Sequence, residues 1–343
     1  MPRTVLLRDW VNKLFPDRLS NHEYRIEPAS NDASFRRYFR LALPDGETRI
    51  VMDAPPEHED CRPFLKVATL LREAGVHVPT VYAEDLAQGF LLLSDLGGTT
   101  YLNALDERTA PQLYRDANRA LVAIQRASRP GALPEYDRAL LDRELQLFPD
   151  WYVARHLGIT LDETQQATLR SVFDKILANN LAQPRVFVHR DYHSRNLMVC
   201  GDTEGAAFPA NPGILDFQDA VYGQITYDLA SLYRDAYIHW EEDRELDFVI
   251  RYWEMARQAG LPVHADFHDF YRDYEWMGAQ RQLKVLGIFA RLCHRDGKDG
   301  YLKDMPTVMA YLRQTCERYL ELRPLARLFD QLENRPVDVG YTF

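Results

Sequence analysis

The stretch VFVHRDYHSRNLMV, Val186 to Val199, decides how the rest of this sequence is read. Two apolar, β-branched patches flank a polar loop that holds two histidines, two arginines, an aspartate and an asparagine. Backbone and side-chain polar groups placed between strand-like segments must be satisfied or used, so such a loop is either a costly structural knot or an active site. Downstream, Ile214-Leu215 runs directly into Asp216-Phe217-Gln218. If Leu197-Met198-Val199 pairs with Ile214-Leu215 across the Gly/Pro-rich link from Gly201 to Gly213, Asn196 and Asp216 come side by side, near Asp191 and His189.

Phosphoryl transfer needs such a set. A carboxylate must accept or orient the proton of the attacking hydroxyl, and oxygen donors must hold magnesium against the phosphates. Asp191 fits the first role, Asn196 and Asp216 the second, and His189 fits a hydrogen-bonding role that fixes the loop. The spacing His189-x-Asp191-x-x-x-x-Asn196, followed by Asp216-Phe217, matches the catalytic loop and metal-binding turn of the kinase fold. Any one of these residues alone would read as a satisfied core group; together, at this spacing, they do not.

The sequence resembles the aminoglycoside phosphotransferase-like family of small-molecule kinases, whose catalytic loop usually reads H-x-D-x-H-x-x-N. Further matches are Tyr38-Phe39-Arg40-Leu41, Leu93-Ser94-Asp95-Leu96-Gly97 and Tyr227-Asp228-Leu229-Ala230. The resemblance runs over nearly the whole chain and weakens after about residue 240. It implies an ATP- and Mg2+-dependent kinase, with His193 near the transferred phosphate, backbone groups around Ser94, Asp95 and Leu96 at the adenine, and Asp228 supporting the catalytic loop. The wording HRDYHSRN, DFQDA from Asp216 and RDGK from Arg295 is similar to one branch, the anomeric amino-sugar kinases of bacterial cell-wall recycling. Those enzymes phosphorylate N-acetylmuramate and N-acetylglucosamine at C1.

One position departs from the family pattern. The third strand, Arg49-Ile50-Val51-Met52-Asp53, carries Met52 where the family has a phosphate-neutralising lysine. Either the chain is a non-catalytic nucleotide-binding regulator or another cation takes over. With the base and both metal ligands intact, replacement is the expectation. Its candidates lie in Ser30 to Arg37, where Asn31 and Ser34 would let backbone N–H groups approach phosphate and Arg36 or Arg37 would add charge. The alternative for each arginine is plain solvation.

The surrounding sequence supplies two lobes. Strands are expected at Tyr38–Leu43, Thr48–Met52, Val81-Tyr82 and Phe90–Leu93, with Pro44-Asp45-Gly46 as a turn and a helix over Arg62–Ala74. Beyond a hinge at Ser94–Gly98 the chain reads as helical: Leu113, Ala117, Leu121 and Ile124 share a face behind a Thr109 cap, and a second helix covers Thr164–Ala178. The expectation is an α+β, two-lobed kinase-like fold. Residues 1–96 form a small nucleotide-binding β-sheet lobe, and residues 97–343 form a larger, mainly helical catalytic lobe with the ligand between them.

For the acceptor, a carboxylate-bearing sugar would favour arginine. Arg195, Arg234, Arg291, Arg295 and Lys298 are candidates, Asp219 binds sugar hydroxyls or caps a turn, and Tyr227, Tyr233, Tyr237 and Trp240 are core or a sugar platform. Two rivals remain: a kinase for a cationic acceptor such as an aminoglycoside or choline, drawing on Glu241-Glu242-Asp243 and Glu245, and the non-catalytic regulator. A protein kinase is disfavoured, because Phe217 to Tyr227 is too short for a long activation segment.

A formal net charge of -10 argues against nucleic acid or anionic membranes as partners. The four cysteines, Cys61, Cys200, Cys293 and Cys316, have no metal-ligand spacing and read as free thiols. No signal-like apolar run opens the chain and no window would span a bilayer, so a cytoplasmic monomer is expected.

Overall fold

The structure is a computed structural model, described over residues 2–16, 24–30, 35–201 and 210–333. The chain divides into two compact units: Met1–Thr100 with Leu197–Asp219, and Tyr101–Asn196 with Ala220–Phe343.

The first unit is built on a five-stranded sheet of β1 (Arg25–Ser30), β2 (Arg37–Ala42), β3 (Thr48–Asp53), β4 (Val81–Asp85) and β5 (Phe90–Ser94). Their order is β1-β2-β3-β5-β4, with antiparallel neighbours throughout. Pro44-Asp45-Gly46 turns β2 into β3, with Gly46 at φ +86°, a value that favours glycine. The four expected strands form, but β1 and an N-terminal helix, α1 (Arg3–Leu14), were not foreseen. Its Leu7, Trp10 and Val11 bury against Leu41, Val51, Phe90 and Leu92, which gives the sheet an apolar cover. The helix α2 (Arg62–Glu73) buries Phe64, Val67, Leu70 and Leu71, as its periodicity predicts. A short hairpin completes the unit, with Leu197 paired to Ile214 and Met198 to Gly213.

The second unit is mainly helical. Ala110–Arg126 buries the expected Leu113, Ala117, Leu121 and Ile124. Thr109 does not cap it: the hydroxyl donates to the Ala104 carbonyl and accepts from the Asp106 N–H instead. That local loop bonding competes with the helix end. Glu163–Ala182 starts two-sidedly capped by Asp162 and Gln165. At the centre lies Phe267–Asp296, buried almost all round between Asp273 and Gly287, as a helix in the middle of a bundle must be. Gly287 permits its closest neighbour: a Cβ there would sit 2.4 Å from the backbone of Leu147. A two-stranded ribbon, Arg185–Val188 against Val221–Gln224, leads into the polar loop. All four cysteines are free thiols. Among the described residues, no helix is long and apolar enough to cross a membrane.

Candidate active site

The polar loop begins where Val188 leaves the ribbon. Arg190 takes φ +77°, and Asp216 takes φ +61°; these are the non-glycine residues with left-handed backbone among those described. Such conformations persist where surrounding bonds over-determine them, and they cluster at functional sites. Around Arg190 the cause is visible. Asp228, at the start of the helix Tyr227–Tyr233, accepts the backbone N–H of His189 at 2.7 Å and of Arg190 at 2.9 Å. Burial pushes the Asp228 carboxyl up to about 6, against the pull of these donors.

Asp191 follows, its N–H directed at Nδ1 of His189 across 3.2 Å. Its carbonyl accepts the N–H of His193 at 3.0 Å and the side-chain amide of Asn196 at 3.0 Å, so Asp191 and Asn196 share one tight turn. Asp235 holds the far side of this turn, accepting the N–H and hydroxyl of Ser194. Desolvation would raise the Asp191 carboxyl, but Lys284, His193, Arg281 and His189 together hold it below the usual carboxylate range. It is therefore ionised at neutral pH. Burial depresses His193, opposed by Asp235 and Asp191; its Nδ1 is buried with no hydrogen-bond partner among the described residues.

Sequence reasoning missed the supports beneath this loop. Lys284, from the central helix, lies 3.1 Å from Glu144 Oε1 and donates to the Tyr227 hydroxyl at 2.9 Å. Glu144 also pairs with Arg190. Arg281, between Gln280 and Gln282, and Lys284 are charged positions in a run that is apolar from Leu283 to Ala290 apart from Lys284, and that is the one signal that could have marked them.

In the first unit, Phe217 is fully buried against Phe64, with ring centroids 4.8 Å apart, and Asp216 stays exposed beside it. Gln218 donates to Asp216 at 2.8 Å and to Asp219 at 3.5 Å. The two arginines ahead of β2 part company. Arg37 joins Arg3 in pairing with the fully buried Asp53. Arg36 lies 3.2 Å from Glu59; burial would lower it, but Tyr38, Glu59, Asp216 and Asp219 keep its charge strongly favoured. Met52 is buried in register with Tyr38 and Leu91. At the end of β5, Asp95 takes a two-point grip from Arg40 at 2.6 and 3.1 Å, and Ser94 Oγ accepts the Thr80 N–H. Leu96 is nearly buried. Asn31 and Ser34 lie outside the described residues.

The acceptor candidates separate by burial. Arg234 is a core residue and not a free ligand group: its guanidinium binds Glu245 at 2.7 Å, Thr315 at 2.7 Å and Glu275 at 2.9 Å. The same bond removes Glu245 from any cation-binding surface, and Glu242 pairs with Arg318. Tyr227, Tyr233 and Trp240 are core. Tyr237 is only half-buried and carries Arg195 over its ring at 4.7 Å, with Tyr301 on the same guanidinium at 5.9 Å. Arg295 pairs with its neighbour Asp296 at an exposed helix end.

A divalent metal would draw on Asn196 and Asp216. One amide oxygen and one carboxylate are hard donors suited to magnesium, which commonly takes few protein ligands and completes its shell with phosphates and water. No cluster of three or more His, Cys, Asp or Glu side chains able to hold a metal exists among the described residues.

Residues 25–271 match the model of the phosphotransferase enzyme family. The chain belongs to this phosphotransferase family. It is 52% identical over 305 residues to the N-acetylmuramate/N-acetylglucosamine kinase of Pseudomonas aeruginosa, covering 89% of this chain and 88% of that one. It is 47% identical to the protein of the same name from Neisseria meningitidis, covering 100% of both chains. Among solved structures, a Plasmodium vivax ethanolamine kinase superposes with a TM-score of 0.63 at 11% identity, covering 92% of this chain and 87% of that one. At that identity the likeness speaks for the fold, a kinase-like small sheet unit followed by a larger helical one.

Proposed function

We propose that this phosphotransferase moves the γ-phosphoryl group of ATP onto the anomeric C1 hydroxyl of N-acetylmuramate and N-acetylglucosamine, producing the sugar 1-phosphate for peptidoglycan recycling. The observation that carries the reading is the end-to-end 47% identity to a kinase named for those two sugars. The kinase loop residues Asp191 and Asn196, held by the same turn, add to it. In this reading residues 1–96 bind nucleotide and 97–343 bind acceptor, in a cytoplasmic monomer.

Asp191 is the proton acceptor. A hemiacetal hydroxyl is more acidic than an ordinary alcohol, so an aspartate kept ionised by neighbouring cations suffices without a raised pKa. His189 and Asp228 position it. Asn196 and Asp216 hold Mg2+, which supplies charge neutralisation at the phosphates when bound. The Leu197↔Ile214 register supports this pairing of roles, since one residue immediately precedes that pair and the other follows it by two. Arg36, braced by Glu59 and drawn toward Asp216, replaces the strand lysine that Met52 lacks, while Arg37 is committed to Asp53. His193 faces the transferred phosphoryl group, backbone groups at Ser94–Leu96 meet adenine, and Arg195 with Tyr237 and Asp219 contact the sugar.

Mapping the product by NMR on a panel of acceptors tests the proposal. An α-1-phosphate from both N-acetyl sugars is expected. Phosphate at another hydroxyl, or turnover of choline or kanamycin with none of the sugars, overturns it.

A further inference from the structure

Three cationic side chains are buried among the described residues: Arg234, Arg281 and Lys284. Two have committed counter-ions, Arg234 in Glu245 and Glu275 and Lys284 in Glu144. Arg281 has none. It is 6% exposed and, among the described residues, forms no ion pair and makes a single long hydrogen bond, 3.5 Å, to the carbonyl of Arg234. A guanidinium carries five donors, and holding one at 6% exposure with no carboxylate beside it is costly unless solvent or a ligand meets its remaining nitrogens.

Its surroundings explain the expense. Arg281 acts electrostatically on Asp191 and His193, yet among the described residues it forms no ion pair with a carboxylate. Asp235, which also acts on His193, is occupied by Ser194 and the N–H of Tyr237. His193 adds a buried ring nitrogen with no partner. An unpaired guanidinium and an unpaired imidazole nitrogen thus share the neighbourhood of one ionised carboxylate.

We propose that Arg281 is an oxyanion receptor of the acceptor site, pairing with a substrate anion beside Asp191. The proposal rests on the kinase reading above and deepens it. In the transfer, the acceptor oxygen bonds to the γ-phosphorus, its proton passes to Asp191, and the bond to ADP breaks with its electron pair leaving on ADP. Two substrate oxyanions are available to Arg281 in that arrangement: the phosphoryl group in transit, or the carboxylate of N-acetylmuramate. Both offer the forked oxygen pair that a guanidinium matches.

The test uses the full-length enzyme and the Arg281→Gln and Arg281→Lys variants. For Arg281→Gln, kcat/KM should fall about 10²-fold, with partial recovery in Arg281→Lys. The Tm of the ligand-free Gln variant should equal or exceed that of the parent, because an uncompensated charge has been removed. Equal losses with both sugars identify the phosphoryl group; a loss confined to N-acetylmuramate identifies its carboxylate. Unchanged kcat/KM with both sugars, or a clear fall in Tm, overturns the proposal. A second arm needs no turnover: inorganic phosphate should raise the Tm of the parent but not of Arg281→Gln, and equal protection of both proteins overturns it. Should the parent phosphorylate neither sugar, the kinase reading fails, and the phosphate arm still decides Arg281.

Discussion

The side-chain amide of Asn196 donates to the backbone carbonyl of Asp191 across 3.0 Å. A proposed metal ligand and the proposed base are thereby closed into one ring of chain, and neither can drift without the other. Asn196→Ala should raise the Mg2+ concentration for half-maximal activity about tenfold, while costing only about 1 kcal/mol of stability for the lost hydrogen bond. A magnesium titration of activity alongside denaturant melts separates the two effects. An unaltered Mg2+ requirement would remove Asn196 from the metal.

Asp191 is held ionised by Lys284, His193, Arg281 and His189 against its burial. Asp191→Asn keeps the shape and removes the proposed proton acceptor, so kcat should drop by about 10²–10⁴. Nucleotide affinity, measured by calorimetry, should stay within about twofold, since the change is one of proton affinity and not of phosphate contact. Loss of nucleotide binding would assign Asp191 a different role.

Arg36 and Arg37 should behave as opposites despite being adjacent. Arg36→Ala is expected to raise the KM for ATP about tenfold or more, with little change in Tm, because it removes a cation from the field of Asp216 and Glu59. Arg37→Ala withdraws one of two arginines from the buried Asp53 and should lower stability by about 1–3 kcal/mol with near-normal ATP kinetics. Unchanged ATP affinity and turnover in both variants would leave Met52 without a substitute.

Asp228 titrates in the folded protein at about 6, above the 3.8 of an unburied aspartate. The folded state therefore binds the proton more readily, and this group's contribution to stability grows as pH falls from about 6 toward 3.8 and is absent above about 6. Function runs the other way, since a protonated carboxyl loses one of the two acceptor oxygens that hold His189 and Arg190. Activity should decline below pH about 6 while Asp228 alone favours the folded state. In Asp228→Asn the corresponding rise in Tm on acidification should vanish. A stability profile that is the same in both proteins would contradict the assignment.

Arg234 sits with two buried glutamates, and Arg234→Met strands them. The cost should be about 3–5 kcal/mol, read by chemical denaturation. The ratio of kcat/KM for the two sugars should not move in whatever fraction remains folded. A shift in that ratio at full stability would return Arg234 to the acceptor site.

Much of this was legible before any coordinates. The turn at Pro44-Asp45-Gly46, the helix behind Phe64 and the face of Leu113, Ala117, Leu121 and Ile124 follow from periods and turn chemistry that act within a few residues. Thr109 misled because its hydroxyl had local loop partners equal to the helix end, and α1 went unseen because its cover for the sheet depends on strands that lie far along the chain.

The close spacing of His189, Asp191 and Asn196 was legible in the sequence alone, since a tight loop leaves little freedom over so short a contour. Tertiary structure decided which of many arginines is a core strut, which braces Asp53, and which has no counter-ion among the described residues. Charged side chains read alike in a sequence; their roles are set by the counter-ions that distant helices bring to them, and burial makes that choice energetically decisive.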